Sequence, residues 1–287
     1  MDIKKLILDV FAGLETNKFS VLGKEEPMWQ APIVGVAAGD DAYFTFLKDH
    51  IGKFYWLPKE AFVLKYREAA DNVGAGDLRV VSVVFPQATA TIRQQKLAKV
   101  FPCDNWVVSR GEWEALMRKF CGKVAERLKQ EGIRCAAIDL QPEFCRMTSE
   151  KQGIASVWSH RHTAFAAGLG TFGLSDGLIT EKGKAVRLTS FIVEAPLAVT
   201  PRPYAGHHDW CLFYQNGSCG ACIRRCPVHA ISENGHNKNT CSSYEDAAVA
   251  QYWPSHIERG NYIFGCGLCQ AAVPCESRRP GVKTPDL

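Results

Sequence analysis

Apolar residues recur every three to four positions between Glu112 and Gln130, at Trp113, Leu116, Met117, Phe120, Val124 and Leu128. That spacing predicts an amphipathic helix, and Gly132 is placed to end it. The opening segment, Met1 to Val10, mixes charges among apolar positions at the same period and predicts a second such helix. Short apolar runs at Ile33–Ala37, Val80–Phe85, Cys135–Leu140 and Ser190–Val193 are bounded by Gly, Pro or charge, and predict buried strands. Phe46, Leu47 and Ile51 suggest a shorter helix after the first strand, and Gly74-Ala75-Gly76 a turn. Residues 1–200 therefore read as a mixed α/β (α+β) domain.

The pattern breaks at Pro201-Arg202-Pro203, where two prolines flank an arginine. Beyond it come short segments punctuated by Cys, Gly and Pro, so residues 201–287 read as a second, smaller domain. The tail Arg278-Arg279-Pro280-Gly281-Val282-Lys283 is expected to be disordered, with its charge solvated. No internal repeat is visible beyond two sets of cysteines.

Composition narrows the class. A hydrophobic content of 46% and a charged content of 22% belong to an ordinary globular protein. A net charge of +4 is too small for a dedicated nucleic-acid surface. No uninterrupted apolar stretch resembles a signal peptide or reaches membrane-spanning length, so a cytoplasmic protein is expected. In a reducing compartment twelve cysteines point to metal or redox chemistry rather than disulfides. Cys103, Cys121, Cys135 and Cys145 are scattered and read as small buried apolar residues. The other eight crowd into residues 211–275.

Cys219-Gly-Ala-Cys222-Ile-Arg-Arg-Cys226-Pro227 is Cys-x2-Cys-x3-Cys-Pro, the last three cysteines of the bacterial ferredoxin run. Thiolates three residues apart on a tight loop reach adjacent irons of one cube, and small residues such as Gly220 and Ala221 let backbone N–H groups approach the sulfurs. Cys211 supplies the first ligand after a lengthened spacing. A second set follows at Cys241, Cys266-Gly-Leu-Cys269 and Cys275, with Pro274 before the last cysteine rather than after it. By analogy with two-cluster ferredoxins, one [4Fe–4S] cluster takes Cys211, Cys219, Cys222 and Cys275, and the other takes Cys226, Cys241, Cys266 and Cys269. Structural zinc on two Cys-x2-Cys pairs is the alternative, but it leaves four cysteines unused.

Gly168-Leu169-Gly170-Thr171-Phe172-Gly173 has the form G-x-G-x-x-G. A dinucleotide site needs a strand before it and a helix after. Here Arg161–Ala167 reads as helix and Leu178-Ile179-Thr180 as strand, so NAD binding is rejected. With Ala166-Ala167 ahead of it, the Leu178-Ile179 strand behind it, and the phrase Phe264-Gly265-Cys266-x-x-Cys269-Gln270, the chain resembles the epoxyqueuosine reductases and, more distantly, the reductive dehalogenases. The resemblance covers about residues 75–275.

That resemblance implies a nitroreductase-like N-terminal domain holding a cobalamin, with a two-cluster ferredoxin-like domain passing electrons to it. FMN is the alternative cofactor, since such a fold can host it. Gly168, Leu169, Gly170 and Gly173 would form the loop against the macrocycle, with His162 as a further contact. The family's acid is an Asp at a strand end ahead of the loop, and Asp139 is the nearest match; a strand-end Asp capping a turn before Pro142 is the structural alternative. His160 and His162 could donate protons or bond a corrin amide, or make only local hydrogen bonds. Trp158, Phe165 and Phe172 read as core. The implied partners are an electron donor such as a ferredoxin or flavodoxin, and a small-molecule or modified-nucleoside substrate. The family's extra C-terminal helical domain, which helps grip tRNA, is expected to be missing, and the low charge also counts against tRNA. The second function class is a non-catalytic electron-transfer protein docking to a partner reductase.

Overall fold

The computed structural model describes residues 1–252 and 265–281. In chain order its α/β part runs α1 (Ile3–Ala12), β1 (Ile33–Ala38), α2 (Ala42–Ile51), α3 (Pro58–Tyr66), β2 (Leu78–Pro86), α4 (Thr89–Leu97), α5 (Asp104–Gly111), α6 (Trp113–Gln130), β3 (Cys135–Ala137), β4 (Arg146–Ser149), β5 (Gly153–Ser156), α7 (His160–Ala166), β6 (Gly170–Phe172), β7 (Leu178–Thr180) and β8 (Val186–Glu194). The central sheet has the order β1-β2-β8-β3, with every neighbouring pair antiparallel.

Alternation decides what each face meets. Val81, Val83 and Phe85 of β2, with Phe191 and Val193 of β8, pack against α1 and α6. Val80 and Val84, with Ile192, face α2, α3 and α7. Helices cover both faces, which is why β1 and β2 read as nearly continuous apolar runs rather than as alternating strands. The α6 stripe lands where the spacing places it, with Trp113, Leu116, Met117, Phe120, Val124 and Leu128 all buried. Each such side chain contributes roughly 1.5–3 kcal/mol of transfer free energy.

Two strands differ from the sequence reading. The Cys135–Leu140 run stops at Ala137, and Ile138–Leu140 forms a 3-10 turn. The Ser190–Val193 run extends to Val186–Glu194 and pairs with β2 over its whole length. Arg187, Thr189 and Ser190 interrupt its apolar pattern in sequence, but the ladder needs only their backbone. Of the four scattered cysteines, Cys121 and Cys135 are buried as expected, whereas Cys103 is half-buried and Cys145 exposed.

The cysteine-rich part contains α8 (Leu212–Asn216), α9 (Ala221–Arg225), β9 (Ile231–Ser232), β10 (Gly235–His236) and α10 (Lys238–Tyr252). Pro201, Arg202 and Pro203 carry no regular structure. The segment after Cys275 is laced to the approach to β8: Lys184 N–H donates to Cys275 O at 2.8 Å and Ala185 N–H to Glu276 O at 3.0 Å. The Arg225 guanidinium donates to the carbonyls of Leu268, Ala271, Ala98 and Gln95, tying α9 to α4 and to the Cys266–Cys269 loop. The tail departs from the expected solvated charge, since Arg279 lies 4.5 Å over the Trp210 ring and 3.7 Å from Glu181. Val282 and Lys283 lie outside the described residues. Among the described residues no helix is long and apolar enough to cross a membrane.

Candidate cluster and active site

The eight clustered cysteines lie in two adjoining groups, with Cys269 near Cys222 as well as Cys226. Cys275 faces Cys211, Cys222 and Cys219, and Cys222 faces Cys211 and Cys219. Cys241 faces Cys269 and Cys226, and Cys266 faces Cys269 and Cys241. Cys226 of the Cys-x2-Cys-x3-Cys run stands near Cys241 and Cys269. The first four sulfurs line one small pocket whose other walls include Gly173, Leu174, Ile179, Lys184, Phe213 and Val273. Among the described residues no three His, Cys, Asp or Glu side chains stand close enough to share one metal ion. Four sulfurs lining one pocket suit a multi-atom cluster.

The local chemistry agrees with that use. Burial pushes Cys275 up to about 11 and Cys241 up to about 12. Thiols so buried stay protonated until a metal centre supplies the compensating positive charge. Backbone geometry serves the second neighbourhood: Gly267, between Cys266 and Cys269, has φ +58°, and a Cβ there would lie 2.0 Å from the buried Trp106 ring. Gly267→Ala should therefore destabilise the protein by at least about 3 kcal/mol, combining left-handed backbone strain with overpacking. A thermal melt with iron analysis checks this, and an unchanged melting temperature with full iron would contradict it.

Asp139 sits in the 3-10 turn after β3. Its Oδ2 accepts a hydrogen bond from Thr189 Oγ1 and lies 3.4 Å from His160 Nε2. His160 Nδ1 is 2.8 Å from Ser190 Oγ, which also accepts from Trp158 Nε1 at 2.9 Å. Adjacent residues of β8 thus hold the carboxylate and the imidazole, with His160 Nε2 turned to Asp139. Burial alone would raise the Asp139 carboxyl, but the His160 ring and the Thr189 hydroxyl outweigh it and hold the group below its ordinary value. The sequence could not announce Thr189 or Ser190, since isolated strand hydroxyls carry no signal.

The glycine loop has helix α7 before it and strand β7 after it, the reverse of a dinucleotide fingerprint. Its side-chain-free positions serve the chain's own backbone. Gly168 has φ +77°, and a Cβ there would stand 2.4 Å from Pro201 O; at Gly170 it would stand 2.2 Å from Ile179 O. Gly173 lines the first sulfur cavity, and Leu169 is core, packed over Gly35. The missing side chains at Gly168 and Gly170 are thus explained without any macrocycle. His162 bonds Ser159 Oγ through Nδ1 at 2.7 Å and packs 4.7 Å from the Phe172 ring. Burial pulls it down to about 3, so the ring is neutral at physiological pH. Trp158, Phe165 and Phe172 are buried, as expected.

Comparison with known proteins now bears on these groups. Residues 215–276 match the family described as a 4Fe-4S double cluster binding domain. An epoxyqueuosine reductase of Aliivibrio fischeri is 29% identical over 232 residues, which are 78% of this chain and 55% of that protein. The chain resembles the epoxyqueuosine reductases. One from Vibrio cholerae is 28% identical over 247 residues, covering 82% of this chain and 59% of its own length. The chain thus spans little more than half the length of these epoxyqueuosine reductases. Among solved structures, a catabolic reductive dehalogenase superposes with a TM-score of 0.50 over 87% of this chain and 30% of that one, at 15% identity, so the two share a fold. The cysteine-rich segment is a double [4Fe–4S] segment, and the α/β part with which it packs has the architecture of this group.

Proposed function

We propose that the chain is an iron–sulfur reductase of the corrinoid-dependent kind, its two clusters relaying single electrons to an active site in the α/β domain, residues 1–200. The observation that carries the proposal is the connection made by β8. Lys184, two residues before that strand, lines the first sulfur cavity, and Thr189 within it bonds Asp139. Five residues of extended chain separate them by about 17 Å. Electrons arriving at one end and a carboxylate at the other define a site between.

In this reading Cys211, Cys219, Cys222 and Cys275 ligate one cluster, and Cys226, Cys241, Cys266 and Cys269 the other. The nitroreductase-like description of the α/β domain belongs to the same proposal. One buried polar atom beside α7, Tyr43 Oη, has no hydrogen-bond partner. A large ligand with peripheral amides, as a corrinoid has, would satisfy it, and His162, whose ring lies 6.4 Å from that of Tyr43, would be a further contact. Bound there, a cobalamin would supply a metal centre reduced in one-electron steps and able to cleave a carbon–oxygen bond. The chain's own part is to hold that ligand beside α7 and to manage the proton through Asp139 and His160. The relatives' name indicates a modified nucleoside as the substrate class, and a ferredoxin or flavodoxin is the proposed donor.

Anaerobic purification tests the proposal. Iron and sulfide for two clusters should accompany a shifted cobalt spectrum when cobalamin is added at stoichiometric concentration. Two clusters without any corrinoid binding would overturn the corrinoid part. The reading as an electron carrier for a separate reductase is favoured by one observation, the occupation of the glycine loop by the chain's own backbone. Extraction and mass identification of any organic cofactor, FMN included, separates the two.

A further inference from the structure

Lys184 is a cysteine-facing cation whose position no ligand motif explains. Its residue exposure is 2%, and it lines the cavity of the first sulfur set together with Cys211, Cys219, Cys222 and Cys275. Its backbone is pinned by the 2.8 Å hydrogen bond to Cys275 O. Its Nζ donates to Ser175 Oγ at 2.9 Å, and Ser175 stands beside Cys269. Cys269 belongs to the other sulfur set. The ammonium therefore lies near Cys275, Cys222 and Cys211 and also near Cys269.

A [4Fe–4S] cube with four thiolates is an anion, and each one-electron reduction adds one further negative charge. A positive charge fixed nearby in a dry interior favours the reduced form, because little water is present to screen it. Net charge and hydrogen bonds to the sulfurs are among the terms that set cluster potentials. Lys184 supplies the first to the Cys211 set directly. Through Ser175 it reaches toward Cys269 of the second set.

We infer that Lys184 is a built-in charge shared by the two cluster sites, placed to raise both reduction potentials and, through Ser175, to couple the second site to the first. The inference rests on the two-cluster reading above. It assigns Lys184 a tuning role: the electron enters from the donor and leaves toward the α/β domain, and the lysine exchanges neither electron nor proton.

The test is anaerobic redox titration of the full chain with dithionite, followed by electron paramagnetic resonance, on protein whose iron and sulfide have first been measured. Wild type lacking eight irons would fail the two-cluster reading before any variant is compared. With eight irons present, Lys184→Met should make reduction of both clusters at least tenfold less favourable, about 59 mV for one electron. The larger shift is expected in the Cys211 set. Lys184→Arg should keep both potentials within threefold of wild type in equilibrium constant. Ser175→Ala should shift the Cys269 cluster and leave the other in place. Fully loaded Lys184→Met with both potentials unchanged would overturn the inference. If Lys184→Met fails to load iron, Ser175→Ala decides: a variant that moves neither potential overturns it equally.

Discussion

Serine at Cys219 and Cys222 together is expected to leave a chain with one cluster, about four irons in place of about eight, and with no electron delivery to the α/β domain. The size of the effect follows from the arrangement of the sulfurs. Cys211 and Cys275 remain in that variant, but two thiolates cannot hold a cube in a pocket lined by four. Serine in place of Cys226 and Cys266 should remove the other cluster instead. This second variant is the sharper test, because Cys226 is only four residues from Cys222 in sequence yet faces Cys241 in space. Iron and sulfide analysis with resonance spectra of each variant reads the outcome. Loss of the same signal in both variants would sink the partition, and full loading of either would sink the ligand assignment.

Much of this was legible in the sequence because cysteine spacing and helical periodicity are local. The α6 stripe needs only 3.6 residues per turn, and Cys-x2-Cys-x3-Cys-Pro needs only one loop. The run of cysteines is legible even though Cys275 follows a proline instead of preceding one, and the proposed partition between clusters is what the paired variants test. What could not be read depends on contacts between distant residues. Lys184 is an unremarked lysine in Glu181-Lys182-Gly183-Lys184 until the segment after Cys275 is laid beside it. Arg225 looks like a spacer in the cysteine run, yet its guanidinium joins α9 to carbonyls about 45 and 130 residues away. The glycines show the opposite failure. Their pattern was visible, but pattern alone does not say whether a side chain is missing for a ligand's sake or for Pro201 and Ile179.

The second large effect is expected at Asp139. An ordinary carboxyl titrates near 3.8, and in the folded chain this one titrates lower, because His160 and Thr189 favour its charged form more than burial opposes it. The sign of the linkage follows. A carboxyl whose value is depressed on folding contributes stability above its ordinary value, and that contribution is lost as the pH falls through the folded value. Asp139→Asn should therefore lower the melting temperature at pH 7, and the gap to wild type should close below about pH 4. The same direction constrains the chemistry. An ionised carboxyl has no proton to give at rest, so Asp139 serves as an acid only after drawing one in, with His160 Nε2 standing 3.4 Å away. Asp139→Asn and His160→Gln should each cut reductase turnover with a one-electron donor by about a hundredfold or more, the usual worth of a positioned acid. The double variant should be little worse than either, because the two act as one unit. Iron content and cluster potentials should stay as in wild type, which separates lost proton delivery from lost electron delivery. Turnover of Asp139→Asn within twofold of wild type would remove Asp139 from the mechanism, while a melting gap independent of pH would show that the carboxylate is not held charged by His160.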